Sequence, residues 1–382
     1  MYEHLHKPFI TTYGKPFVNY AQMLEQGAAE QMSEVLRHDW VIKGALMPDA
    51  HQGYTLPIGG VIACKNMISA ACVGVDIGCG VCAQLTSMDP DILKDNKFAI
   101  RDAILKAIPH GFNHQLSAQK WPEYYTLDKT DWFDGFFHAK NGFNQLGTLG
   151  GGNHFIEVGI DEMNEVWIVI HSGSRGVGNN TAESYIAEMK PVNAPKNGMY
   201  GVPFDSDLGQ AYYKDMNVLL AFALENRVQM ITKVMEVLTT FDPKIGKSEL
   251  FINRTHNHAE AKGDIVIHRK GATHAEKGMY GVVPGNMLHG SYIVIGKGNP
   301  DSLCSSSHGA GRVLGRKAAE RELDLDEMRK QISDSGVAAS AEKVSDLQEA
   351  PDAYKPPADI MELQKDLVDV VHHIKPWVNV KG

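Results

Sequence analysis

Four short β-branched runs constrain the fold of this chain more than any other feature. They are GGVIAC (59–64), VWIVIH (166–171), DIVIH (264–268) and SYIVIG (291–296). Each is bounded by Gly, Ser or charge, the pattern of a buried strand. Between them the apolar period changes. From Leu208 to Leu238, Tyr212, Met216, Leu219, Ala223, Met230, Val234 and Leu238 keep to three- and four-residue steps, which predicts a long helix. Further helices are read over Ala21–Arg37, Gly311–Leu323 and Asp359–His373. The polar stretch Ser333–Pro357, with Pro351, Pro356 and Pro357, reads as a surface connection. No repeat, low-complexity tract or interdomain linker interrupts the 382 residues, of which 43% are hydrophobic. The expectation is one α+β (mixed α/β) domain over 1–382, its buried sheets flanked by helices.

Charge and cysteine usage narrow the class. Acidic residues outnumber basic ones by 46 to 37, a formal charge of −9, which argues against coating nucleic acid through overall charge and leaves room for a local basic track. The five cysteines, Cys64, Cys72, Cys79, Cys82 and Cys304, are odd in number and scattered, unlike a disulfide framework. The N-terminal MYEHLHKPFI has neither a basic n-region nor an apolar h-region, and no run approaches the roughly 18 apolar residues of a membrane span. These features predict a soluble, cytoplasmic protein.

Five glycine-rich segments carry the chemistry. In MPDAHQGYTLPIGGVIA (47–63), Asp49 and His51 precede a strand; alone they read as a turn with an Asx cap. In VGVDIGCGVCA (73–83), Asp76 and Cys79 sit three apart on a glycine turn, where a carboxylate and a thiolate can face one cation. Cys82 completes a C-x-x-C but has no second pair to close a zinc site, so it reads as structural. LGTLGGGNHFIEV (146–158) delivers Asn153, His154 and Glu157 after three glycines that permit close backbone approach. VWIVIHSGSRGVGNN (166–180) ends a strand at His171 and opens into a loop with Arg175. CSSSHGAGRVLGRKAA (304–319) places His308 before Gly309, Ala310 and Gly311 and a basic helix, where free N–H groups could hold phosphate oxygens and a histidine could attack phosphorus. RTHNHAE (254–260) adds His256, Asn257 and His258, and HRKGATHA (268–275) adds His268, Arg269 and Lys270.

Each motif alone is weak. Together Asp76, Cys79, His154, His171 and His256 form a mixed N/O/S set large enough for one or two divalent ions, with His308 left as a nucleophile. Ligand type points first to zinc; the carboxylate and the phosphate chemistry leave manganese or magnesium open.

In this order, MPDAHQGY, VGVDIGCG, LGTLGGGNHFIEV, HSGSRGVGN, HRKGA, SSHGAGRV and the closing VKG resemble the RtcB family of RNA-splicing ligases over nearly the whole chain. The resemblance implies a GTP- and Mn²⁺-dependent enzyme joining RNA 3′-phosphate or 2′,3′-cyclic phosphate ends to 5′-hydroxyl ends, in RNA repair or tRNA splicing. It implies two metal ions on Asp76, Cys79, His154, His171 and His256, with the Cys79 thiolate shared, and a guanylylated His308. Nucleotide contacts would come from Asn153, His154, Phe155, Ile156 and Glu157, from His256 and Asn257, from Pro284, Gly285, Asn286 and Met287, and from Ser291, Gly309, Ala310, Gly311 and Lys381. Tyr354 would lie against the guanine. The chain departs from the common family pattern at Gly78, Cys82, His274, Asn286 and Gly315, which removes neither a proposed metal ligand nor His308. RNA would be met locally by Arg175, Arg269, Arg312 and Arg316. The competing readings are a metal-dependent RNA-end phosphodiesterase without covalent GMP and a non-catalytic RNA-end or nucleotide sensor.

Overall fold

The computed structural model describes residues 8–192, 194 and 198–382; the first seven residues, part of the N-terminal stretch read above for targeting signals, lie outside them. Among the described residues the two largest sheets are built from β1 (Phe17–Asn19), β2 (Val41–His51), β3 (Ile58–Lys65), β4 (Gly80–Thr86), β5 (Phe155–Ile160), β6 (Val166–Ser172), β7 (Lys247–Thr255), β8 (Asn257–Lys262), β9 (Ile265–Lys270), β10 (Tyr280–Pro284), β11 (Ser291–Gly296) and β12 (Val368–Lys381). One sheet has the order β1-β2-β3-β9-β8 and the other β10-β11-β12-β5-β6-β4-β7. All four β-branched runs are strands: three lie within β3, β6 and β11, and DIVIH enters β9 at Ile265.

Strand alternation decides what each face carries. The longest helices among the described residues are α1 (Gln26–Arg37), α2 (Pro90–Ala107), α3 (Arg175–Met189) and α4 (Asp207–Thr239), and in β6 Ile168 and Ile170 point into a core shared with α2 and α4, through Leu93, Ile100, Ile104, Met230, Val234 and Leu238. Trp167 and Val169 point the other way, with Val81, Ala83, Phe155 and Ile293. The same period puts His171 on that second face. Cys82 faces the first core, as a structural cysteine should.

The long helix α4 starts on a Ser206 cap, whose Oγ accepts from Gly209 N at 3.2 Å. All seven of its periodic apolar residues are buried. The same face also buries a charge. Arg227 donates from Nη1 to the carbonyls of Ser172 at 2.7 Å and Gly78 at 3.1 Å, and from Nε to Asn253 Oδ1 at 2.6 Å. It pins the loop that bears Cys79 against the end of β6. Gly78 (φ +71°) comes so near α4 that an added Cβ would lie 2.9 Å from that of Ala223, so here the departure from the family pattern serves packing.

Several expectations are corrected. The first helix, α1, begins at Gln26 rather than Ala21. The segment Asp359–His373 is a helix only over Pro357–Leu363; Val368–Lys381 is β12, inserted between β11 and β5. Its β-branched residues Val368, Val370, Val371 and Ile374 favour a strand, and pairing on both edges outweighs local helical periodicity. The helix after His308 spans only Arg316–Glu322, because Gly311 adopts φ +72° against the Asp49 carbonyl, where a Cβ would overlap it. Ser333–Pro357 is no plain surface connection: two 3₁₀ turns, Val344–Glu349 and Pro351–Ala353, bury Leu347, Glu349, Ala350 and Ala353. Among the described residues no helix is long and apolar enough to cross a membrane.

Candidate active site

Three strand ends of the larger sheet meet at one edge. Gly80 opposite Ser172 aligns the start of β4 with the end of β6, and Phe155 opposite His171 adds the start of β5. Cys79, His154 and His171 therefore arrive together from segments far apart in sequence. His256 is the residue by which the chain leaves β7 for β8, and so passes from one sheet to the other. Its N–H continues the ladder, donating to Cys79 O at 2.8 Å.

The ligand atoms converge. Cys79 Sγ lies 3.2 Å from His171 Nε2 and 3.4 Å from His154 Nε2. His171 Nε2 lies 3.4 Å from His256 Nε2, and Asp76 Oδ2 lies 3.1 Å from His154 Nε2. The other nitrogens fix the tautomers: His154 Nδ1 faces Leu149 O at 3.0 Å and His171 Nδ1 faces Asn153 O at 3.2 Å. Each Nδ1 must carry the proton, so each Nε2 presents a lone pair to the centre. Burial, with Asp76 beside it, pushes the Cys79 thiol well above its ordinary range. Burial and the neighbouring imidazoles hold His171 and His256 well below theirs. Lone pairs and a carboxylate crowd here with few protons among them, a donor set that fits divalent cations.

His308 stands next to this cage. Its ring meets that of His256 edge-on, centroids 4.7 Å apart. On its far side His308 Nδ1 lies 2.6 Å from Asp49 Oδ2, a close charge contact whose alignment is poor for a hydrogen bond. The same oxygen accepts the backbone N–H of His308 at 3.1 Å and of Gly309 at 3.2 Å. Those N–H groups hold a carboxylate, where the sequence reading had offered them to phosphate. Burial would raise Asp49, yet His308, His51 and Lys355 bring it below the usual carboxylate value. Lys355 itself is buried, donating to Ala50 O at 2.6 Å, and burial lowers it to about 8. Nδ1 is thus turned to Asp49, while Nε2 has no hydrogen-bond partner among the described residues.

The other expected contacts form a second, adjoining cluster. Phe155 bridges the two, its ring 5.7 Å from that of His171 on one side and 5.1 Å from Lys381 Nζ on the other. Lys381 Nζ lies 3.7 Å from the buried Glu349. Glu349 also accepts the Tyr354 hydroxyl and meets Arg312, whose guanidinium lies 4.9 Å from the Tyr354 ring. Burial lifts Glu157 to about 8, and Glu157 Oε1, Ser291 Oγ and Asn379 Oδ1 are buried without an aligned partner. Unspent donors and acceptors of this kind suit a base edge.

Not every expected residue turns toward the site. The Ile156 side chain lies in the core on the opposite face of the sheet. Met287 joins Met328, Ile332 and Leu347 in a separate core. Asn286 Oδ1 caps its own turn, accepting from Leu288 N and His289 N at 3.1 Å each. Pro284 backs onto Gly309, and Gly285 N donates to Gly290 O at 2.7 Å. Ala310 and Gly311 are buried against the Asp49 segment, Lys355 N donating to Gly311 O at 3.0 Å. Asn257 bridges Asp76 O at 2.9 Å and Gly271 N at 2.7 Å. Arg269 is fully buried on Glu260, Ser305 and Leu303, so it cannot meet RNA. Gly315 is exposed and opens the helix at Arg316. Asp49 as partner of His308, Arg227 and Lys355 were not assigned from sequence. Only Asp49 had a signal there, its place beside His51 on a glycine turn.

Comparison with known proteins identifies the family of the chain. The model of the family described as tRNA-splicing ligase RtcB matches residues 31–133 and 135–382. The chain belongs to the RtcB family. It is 34% identical to the RNA-splicing ligase RtcB of Escherichia coli (strain K12), over 94% of this chain and 95% of that protein. It is 29% identical to the tRNA-splicing ligase RtcB of Thermococcus kodakarensis, over 94% and 92%. In this member of the family Asp76, Cys79, His154, His171 and His256 lie in one cluster, with His308 against it.

Proposed function

We propose that residues 1–382 act as one RNA ligase domain. It joins RNA 3′-phosphate ends, or 2′,3′-cyclic phosphate ends once hydrolysed, to 5′-hydroxyl ends, at the expense of GTP and with Mn²⁺. The observation that carries this is the edge-on contact of His308 with His256, at 4.7 Å, which sets a histidine with a free Nε2 beside a cation-suited cage. Manganese rather than zinc follows the family resemblance. Two ions on Asp76, Cys79, His154, His171 and His256 would neutralise the triphosphate and polarise phosphorus.

His308 Nε2 bonds to the α-phosphorus of GTP as the bond to the β-phosphate oxygen breaks, releasing pyrophosphate. Asp49 orients the ring and stabilises the charge that then builds on it. An oxygen of the RNA 3′-phosphate next takes the guanylyl group, the P–N bond breaks and His308 is regenerated. The 5′-hydroxyl oxygen finally attacks the RNA phosphate, its proton is lost to the medium and GMP leaves. Lys381, Glu157, Ser291 and Tyr354 are the residues proposed to hold the guanine nucleotide. The buried free thiols suit the reducing cytoplasm in which such a reaction would run.

The test is ligation. With GTP and Mn²⁺ the protein should join a 3′-phosphate RNA to a 5′-hydroxyl RNA, and His308→Ala should give no product. End processing that needs no GTP and survives in His308→Ala would instead support a phosphodiesterase. Tight RNA binding without turnover of any end would support a sensor.

A further inference from the structure

The two most exposed large apolar side chains among the described residues are Phe112 and Leu116, at 101% and 105% of full exposure. They lie on one loop, PHGFNHQL (109–116), which neither the ligand cage nor the adjoining cluster uses. This loop is held firmly. Gly111 N donates to Gly150 O at 2.8 Å and Leu149 N to Pro109 O at 2.9 Å. Gln115 N donates to Asn144 O at 2.8 Å, Asn144 Nδ2 returns to Gln115 O at 2.9 Å, and Gln115 Nε2 reaches Gly147 O at 2.9 Å. A loop with its backbone so fixed presents its apolar groups to water at a standing cost in free energy. Burying them against a ligand would recover it.

Its neighbours say which ligand. The loop is stapled to residues 147–150, which lead directly into exposed Gly151 and Gly152 and then Asn153 and His154 of the site. Arg175 Nη2 donates to Gly111 O at 3.4 Å, with its guanidinium against Gly150. Arg316, half exposed, lies with Nη2 3.0 Å from where a Gly152 Cβ would stand. In a chain of net charge −9, two guanidinium groups and the loop bearing two bare apolar side chains therefore adjoin the glycine run that opens the site. Single-stranded RNA alternates phosphates with apolar base faces, and proteins meet it with cations and stacking side chains. A protein partner would call for a larger contiguous apolar patch.

We propose that Phe112 and Leu116 form a platform that packs against the unpaired bases of the RNA end, while Arg175 and Arg316 take its phosphates. This rests on the RNA-ligase reading and names positioning residues for that substrate. The experiment is equilibrium binding of a fluorescent single-stranded RNA bearing a 3′-phosphate, with steady-state ligation alongside. The double variant Phe112→Ala/Leu116→Ala should bind about 10-fold more weakly. Its KM for RNA should rise in step while kcat is kept, and Phe112→Trp should restore affinity. Abasic substitution of the terminal nucleotides should weaken binding to the parent and leave the double variant's affinity alone. Unchanged affinity in the double variant, indifference of the parent to abasic ends, or a parent that binds no RNA would overturn the platform. Both side chains are fully exposed, so a melting curve like the parent's is expected and guards against misfolding. Binding needs no turnover: a parent that binds RNA through Phe112 but joins no ends would remove the ligase reading and keep the platform.

Discussion

His256 and His258 are two residues apart, yet they belong to clusters of opposite character. His256 faces Cys79, His154 and His171, where imidazole lone pairs converge. His258 faces His274, Glu260 and Glu276, which on residue type alone could also hold a metal. There the cation is already built in. Arg269 Nη1 lies 3.0 Å from Glu260 Oε2, and Lys262 Nζ lies 3.2 Å from Glu260 Oε1 and 3.9 Å from Glu276 Oε1. His274 Nδ1 lies 2.9 Å from Glu276 Oε1, and its Nε2 lies 2.7 Å from His258 Nε2 with the rings stacked. The second cluster neutralises itself; the first leaves its donors unspent. Ligand-type residues at close quarters do not make a metal site unless their lone pairs point inward with no protein cation among them.

That contrast can be broken. Cys79→Ala should lower bound divalent metal and GTP-dependent labelling at least ~100-fold, since it removes an atom at the centre of the cage. Metal content like the parent's by elemental analysis would show that the cage is not the metal site. Asp49→Asn leaves the cage intact and removes the charge beside His308. Metal content should persist while labelling falls roughly 10²–10⁴-fold, as when a carboxylate orienting a catalytic histidine is lost. Glu260→Gln in the second cluster should leave metal stoichiometry alone and cost about 1–3 kcal/mol in chemical denaturation, because Arg269 stays buried with less compensation. A loss of metal there would reverse the comparison.

The smallest effect concerns acid. Glu276 is held down to about 2 in the fold; burial opposes this and the His274 contact outweighs it, against an ordinary 4.5. A depressed carboxylate stabilises the fold above its unfolded pKa and loses that contribution as pH falls. Stability from this contact should be full above about pH 5 and decline between 4.5 and 2. Glu276→Gln should flatten that part of a denaturation-against-pH curve; an unchanged slope would detach Glu276 from acid stability.

Much of this was readable from residues. The glycine-flanked Asp76, Cys79, His154, His171 and His308 announce themselves because close backbone approach and ligand-type side chains leave local marks. The β-branched runs and the period of α4 did the same for the fold. What stayed hidden was long-range. Asp49 and His308 are 259 positions apart, and nothing local pairs them. Arg269 reads as a surface cation, and only the neighbouring strands show that β9 buries it. Arg227 looks like an interruption of an apolar stripe until the carbonyls of Gly78 and Ser172 are seen to need a donor. The final strand reads as helix locally because its partners, β11 and β5, come from distant parts of the chain.

The most direct test maps the adduct. Protein incubated with Mn²⁺ and α-labelled GTP, digested and analysed by mass spectrometry without acid, should carry guanylate on the peptide containing His308, through a bond that acid cleaves. Guanylate on another residue, or labelled GTP that never becomes covalently attached, would contradict the account.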